Sequence, residues 1–366
     1  TVKASTVASV GSWNTTHGNH VVSLTLDQKI DAPDAFQLQF LAVYEGKRAV
    51  FDHIKEGAKI QLGFSYTNAP DPLFEGEIVY IDGDYSADPN NPSIVTIRGF
   101  DKSHRLTRGH SAKSFGDGQA ETDVSDSMSS VISGSQAGMG NVSDSLAAPA
   151  DASNPSFKSR WTPKPTSTNY DFLKNQGAGR KLDASKSPVV SVCYDRLEGN
   201  NPRPCMRVRY SIATYPAFAK VRVRGWNPST KQGFVAEVTQ CSPEINCAQA
   251  NSGWTPGWQA AGQAVYGSSS AGAIYDRVAE YCETKEEATQ IAQGIFDSMS
   301  LKHLTGECEI QGDPLVVPGV VVELKGFGPR ASGKVMVTEA THIITADGTP
   351  YSTHFKFVSN ASGSRT

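Results

Sequence analysis

The sequence predicts a mainly β protein with minor α: two similar small antiparallel β-barrels joined by a loop-rich α+β middle region. Three observations carry this. Apolar and polar residues alternate in short runs over residues 20–100 and again over 307–358, the period of strands with one buried face. The 33 glycines and 20 prolines among 366 residues favour many turns over long helices. Only residues 284–303 sustain a clear helical period.

The first barrel is expected over residues 1–108. Val22, Leu24 and Leu26 share one face, and Phe36, Leu38 and Phe40 repeat the pattern. Ile60, Leu62, Phe64 and Tyr66 follow, then Phe74, Gly76, Ile78 and Tyr80, then residues 94–100. Asp-Ala-Pro-Asp at 31–34, Asn-Ala-Pro-Asp at 68–71 and Asp-Pro-Asn-Asn-Pro at 88–92 punctuate these runs as turns. Asp82-Gly-Asp84 with Asp88 lacks the glycine and terminal glutamate of a calcium loop, so an acidic hairpin turn is expected there.

Residues 109–216 make the loop-rich middle region. Ser, Ala, Gly and Asp dominate to about position 168. A short helix is expected at 169–173, and strands at 189–192 and 206–210 flank a polar loop. Residues 217–366 are assigned to the second barrel. Within them, strand 220–226 faces 234–238, and an inserted loop spans 241–282. Trp254 and Trp258 lie in that loop, either as buried anchors or as partner contacts. Thr284 and Glu287 form a capping box that starts the helix. Ala288, Ile291, Ala292, Ile295, Phe296 and Met299 form its single apolar stripe, expected to lie on the second barrel. Strands at 307–311, 320–324, 334–344 and 351–358 complete the chain.

The two β-rich ends repeat each other in order. Ile60-Gln-Leu-Gly-Phe, a proline turn and Gly76-Glu-Ile-Val-Tyr have counterparts in Val322-Glu-Leu-Lys-Gly-Phe, Gly-Pro-Arg and Gly333-Lys-Val-Met-Val. Each is followed by a long strand, a turn and a final strand. Gly76 is expected to superpose on Gly333, Ile78 on Val335 and Tyr80 on Val337.

Composition narrows the function classes. With 34 basic and 37 acidic side chains the net charge is -3, which argues against specific nucleic-acid binding. The one basic cluster, Lys102, His104, Arg105, Arg108, His110 and Lys113, is expected to be a solvated loop. No apolar run is long enough to span a membrane and no signal peptide is visible, so folding in the cytoplasm of the producing cell is expected. The six cysteines form no Cys-x-x-Cys pair. They are read as free buried thiols, with Cys193/Cys205 and Cys241/Cys247 as the alternative pairs in an oxidising medium. No nucleophile elbow, phosphate-binding loop or dinucleotide fingerprint occurs. His17-Gly-Asn-His20 lacks the acidic residue of a zincin and reads as a surface turn. No catalytic residue, cofactor or metal ligand is assigned, and the chain is expected not to be an enzyme.

One resemblance gathers these features. Glu287-Ala288 opens the helix, and Gly312-Asp313-Pro314, Val317-Pro318-Gly319, Val322-Glu-Leu-Lys-Gly-Phe-Gly, Ser332-Gly333-Lys334, Val337-Thr338, His342 and Tyr351-Ser-Thr-His-Phe follow. This run resembles the C-terminal barrel of the phage late control protein D family. That family includes contractile-tail baseplate hubs and the hub portion of valine-glycine-repeat spike proteins. Phe74-Glu-Gly-Glu-Ile78, Val95-Thr-Ile-Arg-Gly-Phe-Asp and Arg105-Leu-Thr-Arg resemble the close of the family's first barrel. Asn169-Tyr-Asp-Phe-Leu and Val221-Arg-Val-Arg-Gly-Trp226-Asn-Pro resemble its middle region and the entry to its second barrel.

The resemblance implies a homotrimer whose two barrels per chain form a quasi-six-fold ring between a hexameric tail tube and a trimeric spike. The implied partners are the tail tube or a tube-initiator protein, a separate central spike protein and baseplate wedge proteins. DNA or cargo would pass through the lumen without specific binding, and no integral membrane association is implied. The expected location is the baseplate of a virion or injection particle, assembled in the bacterial cytoplasm. The rival reading is a particle-associated cell-wall-degrading or carbohydrate-binding β protein.

Overall fold

A computed structural model describes residues 5–10, 13–15, 21–44, 47–48, 54–65, 72–88, 90–108, 168, 170–171, 180–215, 218–227, 230–269, 272–278, 284–345 and 351–363. The expected loop over 109–165, most of the helix expected at 169–173, His17, His20, His110, Lys113 and Cys282 lie outside the described residues.

The first strands are β1 (Ser5–Val10), β2 (Trp13–Thr15), β3 (Val21–Lys29), β4 (Ala35–Leu41) and the two-residue β5 (Val43–Tyr44) and β6 (Lys47–Arg48). They are followed by β7 (Lys59–Ser65), β8 (Pro72–Asp84) and β9 (Ile94–Asp101). Next come β10 (Val190–Cys193), β11 (Pro202–Ile212), β12 (Phe218–Asn227) and β13 (Gln232–Val238). Helix α1 (Cys247–Ala250), β14 (Trp254–Pro256), α2 (Gly257–Tyr266), β15 (Ala273–Val278) and α3 (Lys285–Ser300) lead into the last part. That part is β16 (Leu304–Gln311), β17 (Val321–Lys325), β18 (Gly333–Thr345), β19 (Ser352–Ser359) and β20 (Ala361–Gly363). The fold is mainly β, as the alternation predicts.

The strands β17-β10-β11-β16-β19-β18 pair in that order, and β18 returns to β17, so six strands close a barrel. Strand β10 is parallel to both of its neighbours and the other pairings are antiparallel, so this ring is mixed. It also starts at residue 190, not 217 as the sequence suggested. Alternation marked the strands near 190 and 206 but could not say that β10 also pairs with Val322–Lys325 and β11 with Leu304–Ile310, far along the chain. Conversely, β12 is not a barrel strand. It centres a separate three-stranded sheet, β13-β12-β15, and the segment expected as an inserted loop supplies β15, α1, α2 and β14.

The first barrel unit is the run β3-β4-β9-β8-β7-β1-β2, hydrogen-bonded through β3 to β18; among the described residues no pairing closes it into a ring as β17 and β18 close the second. Leu24, Leu26, Phe36, Leu38, Ile60, Leu62, Ile78 and Ile97 fill its core. Each such side chain removed from water contributes about 1.5–3 kcal/mol. Asp82, Gly83 and Asp84 are not a hairpin turn but the end of β8, paired with Thr96, Val95 and Ile94. Turn-forming residue types are tolerated here because the strand end is exposed on its outer side.

Chain duplication is visible in the ladders. Strands β3, β4, β7, β8 and β9 lie in the order β3-β4-β9-β8-β7, and β11, β16, β17, β18 and β19 lie in the order β11-β16-β19-β18-β17. Two bulges recur at equivalent points. Val22 is the extra residue of β3 against β4, as Met206 is of β11 against β16. Val79 is the extra residue of β8 against β9, as Thr338 is of β18 against β19. Bulges interrupt the two-residue period, so they fix an alignment that alternation leaves free.

Laid bulge on bulge, Ile60 falls on Val322, Ile78 on Val337 and Gly76 on Val335. The expected match of Gly76 with Gly333 is therefore two residues out of register. The two glycines answer different crowding: a side chain at 76 would strike the Phe100 carbonyl and the Phe74 ring, one at 333 the Trp254 ring.

Helix α3 is capped as expected, with the Thr284 hydroxyl accepting from the Glu287 N–H at 3.2 Å. Its buried face, Ala288, Ala292, Phe296 and Ser300, packs mainly on β12 and β13 and not on the second barrel. From the barrel, the buried Val321 and Met336 join that cluster and Val358 packs against it.

Candidate assembly interface

The two barrels meet at one ladder, where Ser23–Lys29 of β3 runs antiparallel to Glu339–Thr345 of β18. On one face the opposed pairs are Leu24 with Ile344, Leu26 with His342 and Gln28 with Ala340. All six are buried. On the other face the Thr341 hydroxyl donates to Asp27 at 2.7 Å. The ladder thus has a buried side, apolar but for Gln28 and His342, and a part-exposed, more polar side, as in a sheet with one face on a core.

His342 is buried in this joint, its Nδ1 3.0 Å from the Tyr351 hydroxyl and 3.1 Å from Thr353 Oγ1. Burial pushes its pKa down to about 4. An unfolded chain would protonate this group near pH 6.5, while the folded chain resists until about pH 4. Stability should therefore be level above about pH 6.5 and fall as pH drops towards 4, by about 3 kcal/mol in full from this residue. His303, also lowered by burial, adds in the same direction. Urea denaturation at pH 7 and pH 5 should show a smaller difference in His342→Gln than in the parent, and equal differences would exclude His342 as the source.

Behind the joint, the turn after β16 is built around Asp313. Its buried carboxylate accepts from Arg203 Nε at 2.7 Å, Asn201 Nδ2 at 2.9 Å and the Leu315 N–H at 2.9 Å. Its N–H donates to Thr353 Oγ1 at 3.0 Å. Gly312 lies against the Tyr351 ring with no room for a side chain, and Gly319 has φ of 90°, which favours glycine. Pro314 and Pro318 sit in the two turns between β16 and β17. Gly312, Asp313 and His342 thus meet through Tyr351 and Thr353 in one supporting cluster beneath the joint, with Pro314, Pro318 and Gly319 in the turns that follow Asp313.

A second support lies at the first barrel. Arg180 grips the buried Asp34 with a two-pronged contact of 2.7 and 2.6 Å, and Gln28 Nε2 donates to the same carboxylate at 3.0 Å. Residues Lys102–Thr107, expected as a solvated loop, form a 3-10 helix that buries His104 and Leu106. Arg105 pairs through both ends of its fork with the buried Glu77 of β8, beside the core residues Gly76 and Ile78. Asp101 caps this helix, and burial raises its pKa.

The remaining assigned residues lie elsewhere. Trp226 is 57% exposed on β12, Thr284 and Glu287 cap α3, and Gly333 begins β18 against Trp254. Of the two anchor candidates, Trp258 is buried and Trp254 is half-buried. The thirteen positions serve at least five places and not one site. Asp34, Arg180, Arg203 and Thr353 were missed, because a buried charge looks like a surface one until its partner is known. Among the described residues no group of three His, Cys, Asp or Glu could hold a metal ion, and Cys193, Cys205, Cys241, Cys247 and Cys308 are free thiols. No described helix is long and apolar enough to cross a membrane.

Two strand edges beside the joint have no strand on them among the described residues. On β18 one edge carries β17 along its first half and β3 along its second. On β8 the equivalent edge carries β7 only as far as Glu77, leaving Val79–Asp84 open. On β11 strand β10 covers only Pro202, Arg203 and Pro204, leaving the stretch opposite Glu309–Leu304 open on its other side.

Comparisons with known proteins place the fold. The prophage MuSo2 43 kDa tail protein of Shewanella oneidensis has a similar structure, with a TM-score of 0.65 at 13% identity, over 98% of this chain and 99% of that one. A tail protein of Neisseria meningitidis MC58 gives 0.60 at 12% identity, over 97% and 96%. The prophage tail protein gp18 of Listeria monocytogenes EGD-e gives 0.52 at 7%, over 97% and 94%. No curated protein matches the sequence. One family model, the Alg8 N-terminal domain, matches residues 205–346, less than half of the chain. That span omits β10 and β19, without which the six-stranded ring cannot close.

Proposed function

We propose that this chain is a structural baseplate hub of a contractile injection machine, a homotrimer on the particle axis that adapts a hexameric tail tube to a trimeric spike. The duplicated barrel carries this reading. One chain offers two units with the same strand order and the same two bulges, joined edge to edge in a continuous sheet. Three such chains would present six near-equivalent units to a six-fold tube while keeping three-fold symmetry towards the spike.

Similarity of fold to phage tail proteins over nearly the whole chain supports a tail role. The tube or its initiator, a separate spike chain and baseplate wedge proteins are the partners this role requires, and the baseplate of a virion or similar particle is its place. The role is architectural, with no catalysis. It is tested by the mass of the purified protein in multi-angle light scattering: a trimer is expected, with an interface above about 2,000 Å² as in obligate assemblies. A monomer that also fails to join a tube–spike complex would overturn the reading.

A further inference from the structure

The joint between the two barrels is used once within the chain, and its counterpart stands open. Strand β3 corresponds to β11, and β18 corresponds to β8, by strand order and by both bulges. The β3–β18 contact therefore has an equivalent, β11 on β8, which the chain does not make with itself. Resting on the hub reading, we propose that this contact forms between copies: the open edge of β11 in one chain pairs antiparallel with the open edge of β8 in the next.

The register follows from the internal joint. His342 lies four residues beyond the Thr338 bulge, and Leu26 four beyond Val22. The equivalent residues are Gly83, four beyond Val79, and Tyr210, four beyond Met206. The pair His342–Leu26 thus becomes Gly83–Tyr210. Its neighbours become Ile81 opposite Ile212 and Tyr85 opposite Val208 on one face, with Asp82 opposite Ser211 and Asp84 opposite Arg209 on the other.

That register sorts the side chains as the internal joint does. Its apolar face would cover Tyr85 and Tyr210, which are 63% and 42% exposed in the single chain. Gly83 has no side chain of its own and the Tyr85 ring lies over it, so Tyr210 would pack against that ring. Its polar face sets an acidic strand end against a basic one: Asp84 has no ion partner among the described residues, and Arg209 reaches only the exposed Glu307, at 3.3 Å. A slip of one residue would turn the tyrosines onto the charged side. Neither open edge carries a proline or an inward-pointing charge of the kind that blocks unwanted pairing. Each chain has one edge of each kind, so the contact is head to tail, and equal rotation between successive barrels closes it into a ring.

The test is cross-linking in the intact protein. Under diamide, G83C/Y210C should give chains joined by a disulfide, while G83C/S211C, one residue out of register and on the opposite face, should not. The parent protein, with its own cysteines, is the control. In sedimentation velocity, D84R or R209D alone should raise the dissociation constant of the oligomer at least about tenfold, since like charges directly opposite repel. D84R with R209D should recover most of the loss. Asp84 touches no described charge, so D84R is free of the local effect that R209D has beside Glu307, and thermal melts confirm that each variant is folded. An oligomer that persists with no register-specific cross-link and no charge effect overturns this pairing and leaves the hub reading standing. A parent protein that stays monomeric up to tens of micromolar overturns the pairing, and overturns the hub reading as well if it also fails to join a tube–spike complex.

Discussion

Replacing Phe296 with alanine should cost about 3–5 kcal/mol of folding stability, the range for removing a buried aromatic ring. The ring is fully buried in α3, edge-on to Phe218 at 4.8 Å and to Trp258 at 5.2 Å. Its neighbours come from β12 and α2, so one side chain ties three elements together. Aromatic walls held by a sheet and a second helix cannot collapse into the space a methyl group leaves, which places the cost towards the top of the range. Phe296→Leu, which keeps much of the volume, should lose less than half as much. Urea denaturation at neutral pH measures both, and a loss below about 1 kcal/mol in the alanine variant would mean that this helix face is not a closed core.

Helix α3 also shows what a sequence can and cannot say. The stripe Ala288, Ala292 and Phe296 and the cap at Thr284 were legible, because helical period and capping are local. What the stripe rests on was not legible. An apolar face packs on any apolar face, and the sheet of β12 and β13 offers one as well as the barrel does. The same limit appears in the strands. Alternation located β3, β4, β7, β8 and β9, but β10 and β11 were left outside the barrel they close, since pairing partners far along the chain leave no mark in a two-residue period.

The duplication was legible in element order and misread in register. Two strands slipped by two residues present the same faces, so glycine was the only anchor, and Gly76 and Gly333 relieve unrelated contacts. The bulges at Val22, Val79, Met206 and Thr338 hold the true register, and nothing in those four side chains announces a bulge. The supporting cluster was partly legible. Gly312, Asp313 and His342 were singled out through resemblance, while the partners that give them meaning, Arg203, Asn201 and Thr353, are ordinary polar residues until the fold brings them together.

Asp313 is where that cluster can be broken most directly, and Asp313→Ala should cost about 3 kcal/mol. Breaking a buried ion pair from one side usually costs 3–5 kcal/mol, and the lower figure reflects Arg203, whose side chain is 30% exposed and keeps part of its hydration. Asn201 Nδ2 and the Leu315 N–H would also lose their acceptor. Asp313→Asn keeps the shape and one acceptor oxygen but loses the charge, so an intermediate loss of about 1–2 kcal/mol is expected. Removing both charges, as Arg203→Met with Asp313→Leu, should destabilise less than Asp313→Ala alone, because no unpaired ion is then left in the fold. The damage should also be local in order. Asn201 directly precedes β11 and Arg203 is its second residue, and β10 with the first residues of β11 closes the six-stranded ring. Hydrogen exchange in Asp313→Ala should therefore speed up at Val190–Cys193 and at the start of β11 before it does so in β18 or β19. Uniform acceleration across the barrel, or a loss under about 1 kcal/mol, would show that ring closure does not depend on this carboxylate.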